Sequence, residues 1–234
     1  MSSQANVAAN VAQVQERIAT ACRRARRDPC DVRIVAVSKT QPADAVTEAI
    51  AAGVDAVGEN RVQEAAGKRP LVAAAAPWHL VGPLQRNKAK QALGLFDLVE
   101  TVDRVELADR LQALLGGGPR LLPVFIEVNV AQEPQKNGVL PGSTSALVAH
   151  LLASCPHLRL QGLMTVPPYD PDPERSRPCF VALRRLAAEV ARIASVPPLE
   201  LSMGMSEDFE VAVEEGATWV RLGRVLFGER RDAT

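Results

Sequence analysis

The sequence predicts a single (β/α)8 barrel of the TIM type, an α/β fold with one extra helix at its N-terminus. Three observations carry that expectation. Eight short β-branched or apolar runs alternate with helical patterns between residues 32 and 222. Consecutive parallel strands need right-handed crossovers, and eight such units in about 200 residues match a closed barrel. No strand-to-helix turn carries GxGxxG, which counts against the doubly wound open sheet. No linker or internal repeat divides the chain, so residues 1–234 read as one domain, with 1–30 an N-terminal helix and 31–230 the barrel.

Val7, Val11, Val14 and Ile18 recur at intervals of three and four, which predicts a helix over residues 4–26. Arg23, Arg24, Arg26 and Arg27 crowd its end, where the helix dipole favours cations, and Pro29 stops it. The first apolar run is 32–37, followed by a helical pattern over 43–52. Runs at 55–58, 78–81 and 98–101 come next, and then a helix over 105–115 with Leu107, Leu111 and Leu114 on one face. Gly116 to Gly118 end that helix rather than cradle a phosphate. The fifth run, 122–130, leads to a helix over 145–153, and the sixth, 158–166, to a helix over 180–193 marked by Leu183, Leu186 and Val190. The last two runs, 199–203 and 219–222, flank a helical stretch at 207–215.

Composition narrows the function. The 234 residues are 47% hydrophobic and 23% charged, and 27 basic residues balance 27 acidic ones. A formally neutral chain has no global field to draw it onto nucleic acid or anionic lipid. Neither a signal peptide nor a run of about eighteen apolar residues is visible, so the expected location is the cytoplasm and no membrane partner is expected. Cys22, Cys30, Cys155 and Cys179 form no CxxC pair and sit near no histidine cluster in sequence, so they are expected to be reduced and buried, with no metal site. No zipper or long apolar edge is visible, and a monomer is expected.

In such a barrel the active site lies at the C-terminal ends of the strands, so the polar residues closing each run matter. They are Ser38 and Lys39, Glu59 and Asn60, His79 within HLVG, Glu100 and Thr101, Glu127 and Asn129, Thr165, Ser202 to Ser206, and Arg221 to Arg224. Lys39 follows VRIVAV after one residue, Ser38. A strand-end lysine that is partly desolvated has a lowered pKa and suits nucleophilic attack on a carbonyl, although the same position equally lets a lysine snorkel to water. The stretches after the seventh and eighth strands are where barrels hold phosphate. There Gly204 permits a close backbone approach, Ser206 caps the next helix or donates to a phosphate, and Gly223 and Arg224 open a short turn with Arg221 on the same face. Glu207 and Asp208 are expected to point away from any phosphate. An amine beside a phosphate site makes a phosphate-bearing aldehyde, pyridoxal 5′-phosphate, the economical ligand.

The segments VAVSKTQP, VGENRVQE, WHLVGPLQRNK, GLMTV and LSMGMSEDFEVAVEEGATWVRLGRVLFGER, and more loosely EVNVAQEPQKNGV, resemble the pyridoxal-phosphate homeostasis proteins of the YggS/PROSC type over residues 32–230. The resemblance implies a barrel like the N-terminal domain of alanine racemase, with pyridoxal phosphate held as an aldimine on Lys39 and no established turnover. It further implies that Asn60 lies beside the ring, that Arg221 meets the pyridine nitrogen, and that Ser206 with the Gly223 and Arg224 amides holds the phosphate. Ser202 and Gly204 belong to the same loop motif, and Lys136 with Gly138 to another of unassigned role. The partners implied are the cofactor itself and the apo-enzymes that use it.

An arginine at the ring nitrogen keeps that nitrogen unprotonated and makes a weak electron sink, which favours a carrier over a catalyst. The alternatives are an amino-acid racemase and a Schiff-base aldolase acting on a phosphosugar. The first needs a second base, and the single tyrosine, Tyr169, reads as a solvated loop aromatic. The second needs a carboxylate or histidine poised for proton transfer, for which Glu59, Glu100 and Glu127 are candidates. His79 reads as a hydrogen-bonded barrel histidine.

Overall fold

The computed structural model describes residues 6–228. Eight parallel strands close into a barrel in sequential order, with the eighth pairing back onto the first. They are β1 (Arg33–Val37), β2 (Ala56–Glu59), β3 (Trp78–Leu80), β4 (Leu98–Val102), β5 (Leu122–Glu127), β6 (Leu158–Met164), β7 (Glu200–Ser202) and β8 (Trp219–Leu222). The helices are α1 (Val7–Ala25), α2 (Ala43–Ala51), α3 (Val62–Lys68), α4 (Ala89–Leu93), α5 (Val105–Leu115), α6 (Pro141–Ser154), α7 (Arg177–Ala194), α8 (Phe209–Glu214) and α9 (Arg224–Phe227).

Every predicted strand is present, and the differences lie at the ends. The fifth and sixth strands stop three and two residues early, at Glu127 and Met164; beyond them Val128 bridges Val139 and the buried Thr165 Oγ1 donates to the Val128 carbonyl at 2.8 Å. The seventh ends at Ser202, before the turn at Gly204, whose φ is +94°. Helix α6 begins earlier than expected because Pro141 supplies a favourable first turn, and α7 begins at Arg177 with Pro178 in the same role. Helix α3 was not expected, and α4 begins at Ala89, just past the Gln85 to Lys88 stretch that the sequence reads as a helix start following Pro83. At seven and five residues they are too short to establish a periodicity. Residues 4 and 5 of the predicted first helix, and the chain beyond 228, lie outside the described residues.

The barrel interior is layered. Val35, Ala56, Leu98, Phe125, Met164 and Trp219 pack as an apolar plug. Below it Trp219 Nε1 donates to Glu200 Oε2 at 2.6 Å and Arg33 pairs with Glu200 at 2.7 Å. Above it lies a polar layer contributed by β3, β4, β7 and β8, described below. Outside the strands two apolar shells join the helices to the sheet, one around α1, α7 and α8 and one around α4 and α5. Helix α1 buries Val7, Val11, Val14 and Ile18, as their spacing predicts, against α8 and α9. No described helix is long and apolar enough to cross a membrane. Of the cysteines, Cys22 and Cys155 are buried as expected, but Cys30 is exposed in the 3-10 turn that follows α1 and Cys179 is half-buried; all four are free thiols.

Gly162 shows how tightly the barrel closes. A Cβ there would overlap the Glu200 carbonyl oxygen and stand 2.5 Å from Phe125 Cε1. Gly162→Ala is therefore expected to destabilise the fold by about 3 kcal/mol, the upper range for overpacking, as read from urea unfolding midpoints. An unchanged midpoint would mean that β6 and β7 can spread at no cost.

Candidate functional site

A cavity of about 750 Å³ opens at the C-terminal mouth of the barrel, and its walls include Lys39, Asn60, Ser206, Arg221, Gly223 and Arg224. Six of the eight residues singled out in the sequence thus meet in one place. Lys39 lies in the turn directly after β1 and is half-buried. The turn is held from beneath. Ser38 Oγ donates to Glu59 Oε1 at 2.6 Å, and the buried Lys68 of α3 donates to that same oxygen at 2.5 Å and to the Ser38 carbonyl at 2.6 Å. Thr40, next to Lys39, adopts a left-handed φ of 65°, uncommon for a β-branched residue, and its amide donates to Glu64 at 2.5 Å. Backbone strain beside the lysine is thus stabilised by a carboxylate that also pairs with Lys68 at 3.0 Å. Burial raises the Glu59 carboxyl despite hydrogen bonds from Lys68 and Ser38.

Arg221, 5% exposed, forms the floor. Its Nη1 donates to Ser202 Oγ and its Nη2 to the Thr165 carbonyl, each at 2.7 Å. Ser202 Oγ in turn donates to Glu100 Oε2 at 2.5 Å, and Glu100 Oε1 lies 2.8 Å from His79 Nδ1. Burial alone would raise the Glu100 carboxyl, but hydrogen bonds from His79 and Ser202 and the charge of Arg221 outweigh it and hold the group below its ordinary value. Glu100 is therefore ionised and accepting, which assigns the proton to His79 Nδ1. Burial also lowers the Arg221 pKa, with Glu100, Glu127 and Asp208 opposing. Glu100, expected as a candidate for proton transfer, is instead sealed in this network.

Ser202 and Gly204 do not line the cavity. Ser202 is fully buried and accepts from Arg221. Gly204 is required by its left-handed φ and by α8, because a Cβ would stand 2.6 Å from Ala212 Cβ; it permits close packing of a helix. Ser206 is not the cap of α8, since Asp208 takes that position and accepts from the Met205 amide at 2.7 Å. Ser206 Oγ instead receives long hydrogen bonds from the amides of Gly223 (3.4 Å) and Val225 (3.3 Å). A hydroxyl and two amides converging at the start of α9 form an anion cradle. Glu207, expected to face away, lines the cavity and pairs with Arg224 at 2.5 Å across the rim. Tyr169 also lines the cavity although it is 73% exposed. Val225, Gln41 and Lys68 were missed in the sequence: Val225 acts through its amide, which side-chain type does not reveal, and the Glu64 to Lys68 spacing was the signal for the lysine.

Lys136 pairs with Glu133 at 2.6 Å on the β5 side of the barrel. His150, assigned nothing in the sequence, pairs with Asp109 at 2.6 Å beside the buried Cys155. Asp109 and His150 thus meet Cys155, although no histidine lies near that cysteine in a metal-ligand spacing along the sequence. The helices fold together what the sequence separates.

The chain matches the family model for the alanine racemase N-terminal domain over residues 7–231. It is 43% identical over 227 residues to the pyridoxal phosphate homeostasis protein of Aquifex aeolicus, covering 97% of this chain and 99% of that one. The human protein of the same name is 39% identical over 244 residues, covering 98% and 89%. The chain belongs to this family. Among solved structures it resembles PipY of Synechococcus elongatus, determined with PLP bound, at 38% identity and a TM-score of 0.79, covering 92% of this chain and 100% of that one. The alanine racemase of Clostridium difficile shares the barrel at a TM-score of 0.73 and 15% identity, covering 97% of this chain but 57% of the racemase, and speaks to fold alone.

Glu127, at the end of β5, has a buried Oε2 without a hydrogen-bond partner. Burial, with the charge of Asp103 adding and that of Arg221 opposing, raises its carboxyl from 4.5 to about 7. The folded chain thus favours the protonated acid, and stability falls as pH rises from 4.5 to about 7, then levels. Glu127→Gln removes this loss. Urea unfolding across that window is expected to show no gain at the acid end and a gain of about 3 kcal/mol above neutrality. A gain independent of pH would contradict the assignment.

Proposed function

We propose that the protein binds pyridoxal 5′-phosphate at Lys39 and serves vitamin B6 homeostasis in the cell, holding the cofactor without turning over a substrate. The observation that carries this reading is the meeting, in one cavity, of Lys39, the buried Arg221 and the hydroxyl and amides around Ser206. Pyridoxal phosphate, when bound, supplies an aldehyde, a phosphate dianion and a ring nitrogen that accepts a hydrogen bond. The donor set fits all three. Lys39 offers the amine for the aldehyde. Ser206 Oγ and the amides of Gly223 and Val225, joined now by bonds of 3.3 to 3.4 Å, offer stronger interactions to a phosphate than they make with each other. Arg224 adds positive charge at the same rim while Glu207 fixes its guanidinium. Asn60 lies on the cavity wall, where the family resemblance sets it beside the ring.

Arg221 argues for carriage over catalysis. Both its terminal nitrogens are committed, to Ser202 and Thr165, which leaves Nε as its nitrogen without a hydrogen bond among the described residues. A permanently charged donor cannot pass a proton to a ring nitrogen, so the electron withdrawal that amino-acid chemistry requires stays weak. The reading extends to a cytoplasmic monomer that delivers the cofactor to apo-enzymes needing it. The large exposed apolar side chains of the described residues, Leu71, Val105, Leu121, Leu140, Leu152, Tyr169 and Ile193, are spread along the chain from the turn after α3 to the end of α7, which supports a surface without a large apolar interface.

Racemisation is the second reading, and one observation favours it: Tyr169, the tyrosine that chemistry would need, lines the same cavity as Lys39. Its 73% exposure leaves it poorly fixed for proton transfer.

One experiment separates these readings. Protein mixed with pyridoxal phosphate and desalted is expected to show a visible absorption band, and borohydride reduction followed by peptide mapping should find the adduct on Lys39. Lys39→Ala is expected to lose the band and stay folded, and Arg221→Asp to retain less cofactor without gaining an amino-acid half-reaction. An adduct on another lysine would overturn the site. Racemisation of alanine that Tyr169→Phe abolishes would overturn the carrier role.

A further inference from the structure

We propose that Asp109, His150 and Cys155 form a binding site for a borderline-soft divalent cation of the zinc type, on the outer helical layer and separate from the cavity at the mouth. Asp109 lies midway along α5, His150 in the last turns of α6, and Cys155 directly after that helix. Their ligand atoms all lie within 4.8 Å of one another. Asp109 Oδ1 is the shared point, 2.6 Å from His150 Nε2 and 3.9 Å from Cys155 Sγ. Cys155 has left helical geometry, with φ −124° and ψ 63°, so its thiol meets the carboxylate of the neighbouring helix.

Four features favour a metal over a simple ion pair. A carboxylate, an imidazole and a thiolate are the three ligand types zinc takes, and together they select it over the oxygen-preferring magnesium and calcium. Their charges close. A divalent cation with one thiolate, one carboxylate and a neutral imidazole is net neutral, which suits a position that is buried at Cys155 and open at Asp109. Cys155 also follows the C-terminus of α6, a fourteen-residue helix whose final carbonyls favour positive charge. Finally, the distances need only modest adjustment. Tetrahedral bonds of about 2.0 Å to oxygen and nitrogen and about 2.3 Å to sulfur require ligand atoms between three and four ångströms apart. The carboxylate and imidazole would part slightly to admit the ion. On binding, the thiol proton of Cys155 leaves to solvent and the sulfur keeps the electron pair that forms the bond to the metal; His150 gives up the Nε2 proton it shares with Asp109 and becomes the neutral Nδ1–H tautomer, whose Nε2 lone pair binds the ion, and water fills the fourth position on the exposed side.

The site would tie α5 to α6 at a distance from the cofactor. Both helices run from the mouth toward the opposite end of the barrel, and Cys155 stands just ahead of β6. Its occupancy is therefore expected to alter stability without altering the cavity. The proposal does not rest on the ligand assigned at Lys39.

The test uses the full chain without an affinity tag, reduced and stripped of metal, titrated with Co²⁺ and then with Zn²⁺. The expected result is a thiolate-to-cobalt charge-transfer band that saturates at one equivalent, is bleached by Zn²⁺, and disappears in Cys155→Ala. In His150→Ala and Asp109→Asn the affinity should fall by more than about tenfold, the loss that even an outer partner of a metal ligand produces. Zn²⁺ should raise the melting temperature of the parent and not of His150→Ala, while pyridoxal phosphate retention stays the same in both. Should Cys155→Ala fail to fold, the half-exposed His150→Ala decides. No charge-transfer band at one equivalent, or a band whose affinity survives both His150→Ala and Asp109→Asn, would overturn the proposal.

Discussion

A carboxylate with no exposure to solvent sits inside the barrel, and much of the candidate site follows from what keeps it charged. Glu100 cannot remain ionised in a dry interior without partners, and removing one partner of a buried ion pair costs about 3–5 kcal/mol. His79 and Ser202 supply its hydrogen bonds, and Ser202 links it to Arg221. The guanidinium at the floor of the cavity is thereby fixed from below by an opposite charge that never reaches solvent. Strands β3, β4, β7 and β8 each contribute one member. The layer spans the seam where β7 and β8 share the single register pair Ser202 and Trp219, so the polar network reinforces the barrel where its ladder is thinnest.

The same logic recurs on the other side of the mouth. Lys68 and Glu59 form a second buried ion pair, and the lysine also donates to the Ser38 carbonyl just before Lys39. Two charge pairs thus stand beneath the two groups most exposed to a ligand's demands, the amine and the guanidinium. Below both lies the apolar plug around Phe125 and Trp219, which keeps water from entering through the far end. A rigid, dry base with polar groups fixed at its upper surface is what a barrel needs if it is to keep a small charged ligand in one orientation.

Much of this was legible in the sequence, and the rest was hidden for physical reasons. Strand count and order followed from alternation, because each apolar run faces helices on one side and the interior on the other. Lys39, Asn60, Ser206, Arg221, Gly223 and Arg224 could be found because strand-end position alone directs a residue to the mouth. Ser202 could not be separated from them, since one residue of register decides whether a serine reaches the cavity or the layer beneath. Glu207 was read from helix-dipole reasoning that assumed α8 starts at once; a turn over 206–208 comes first, so the helix starts at Phe209 and Glu207 meets Arg224. The cluster of Asp109, His150 and Cys155 joins residues 41 and 46 positions apart, a distance that no local pattern encodes.

The extra N-terminal helix bears on the site as well. Helix α9 has only four residues, far too few to be stable alone, yet it begins with the amides that face Ser206. Its position must be imposed from outside. Helix α1 does this: Asn10 Nδ2 donates to the Leu226 carbonyl at 2.8 Å, and Val7, Val11 and Val14 share one apolar cluster with Leu226 and Phe227. Midway along it Arg17 pairs with Glu210 at 3.2 Å, and just past its end Arg27 donates to the Ala217 carbonyl at 2.9 Å, tying in α8 and the approach to β8. A helix outside the eight-fold alternation thus clamps both segments that build the anion cradle. Its apolar stripe, the first pattern visible in the chain, is a requirement of the site as much as of the fold.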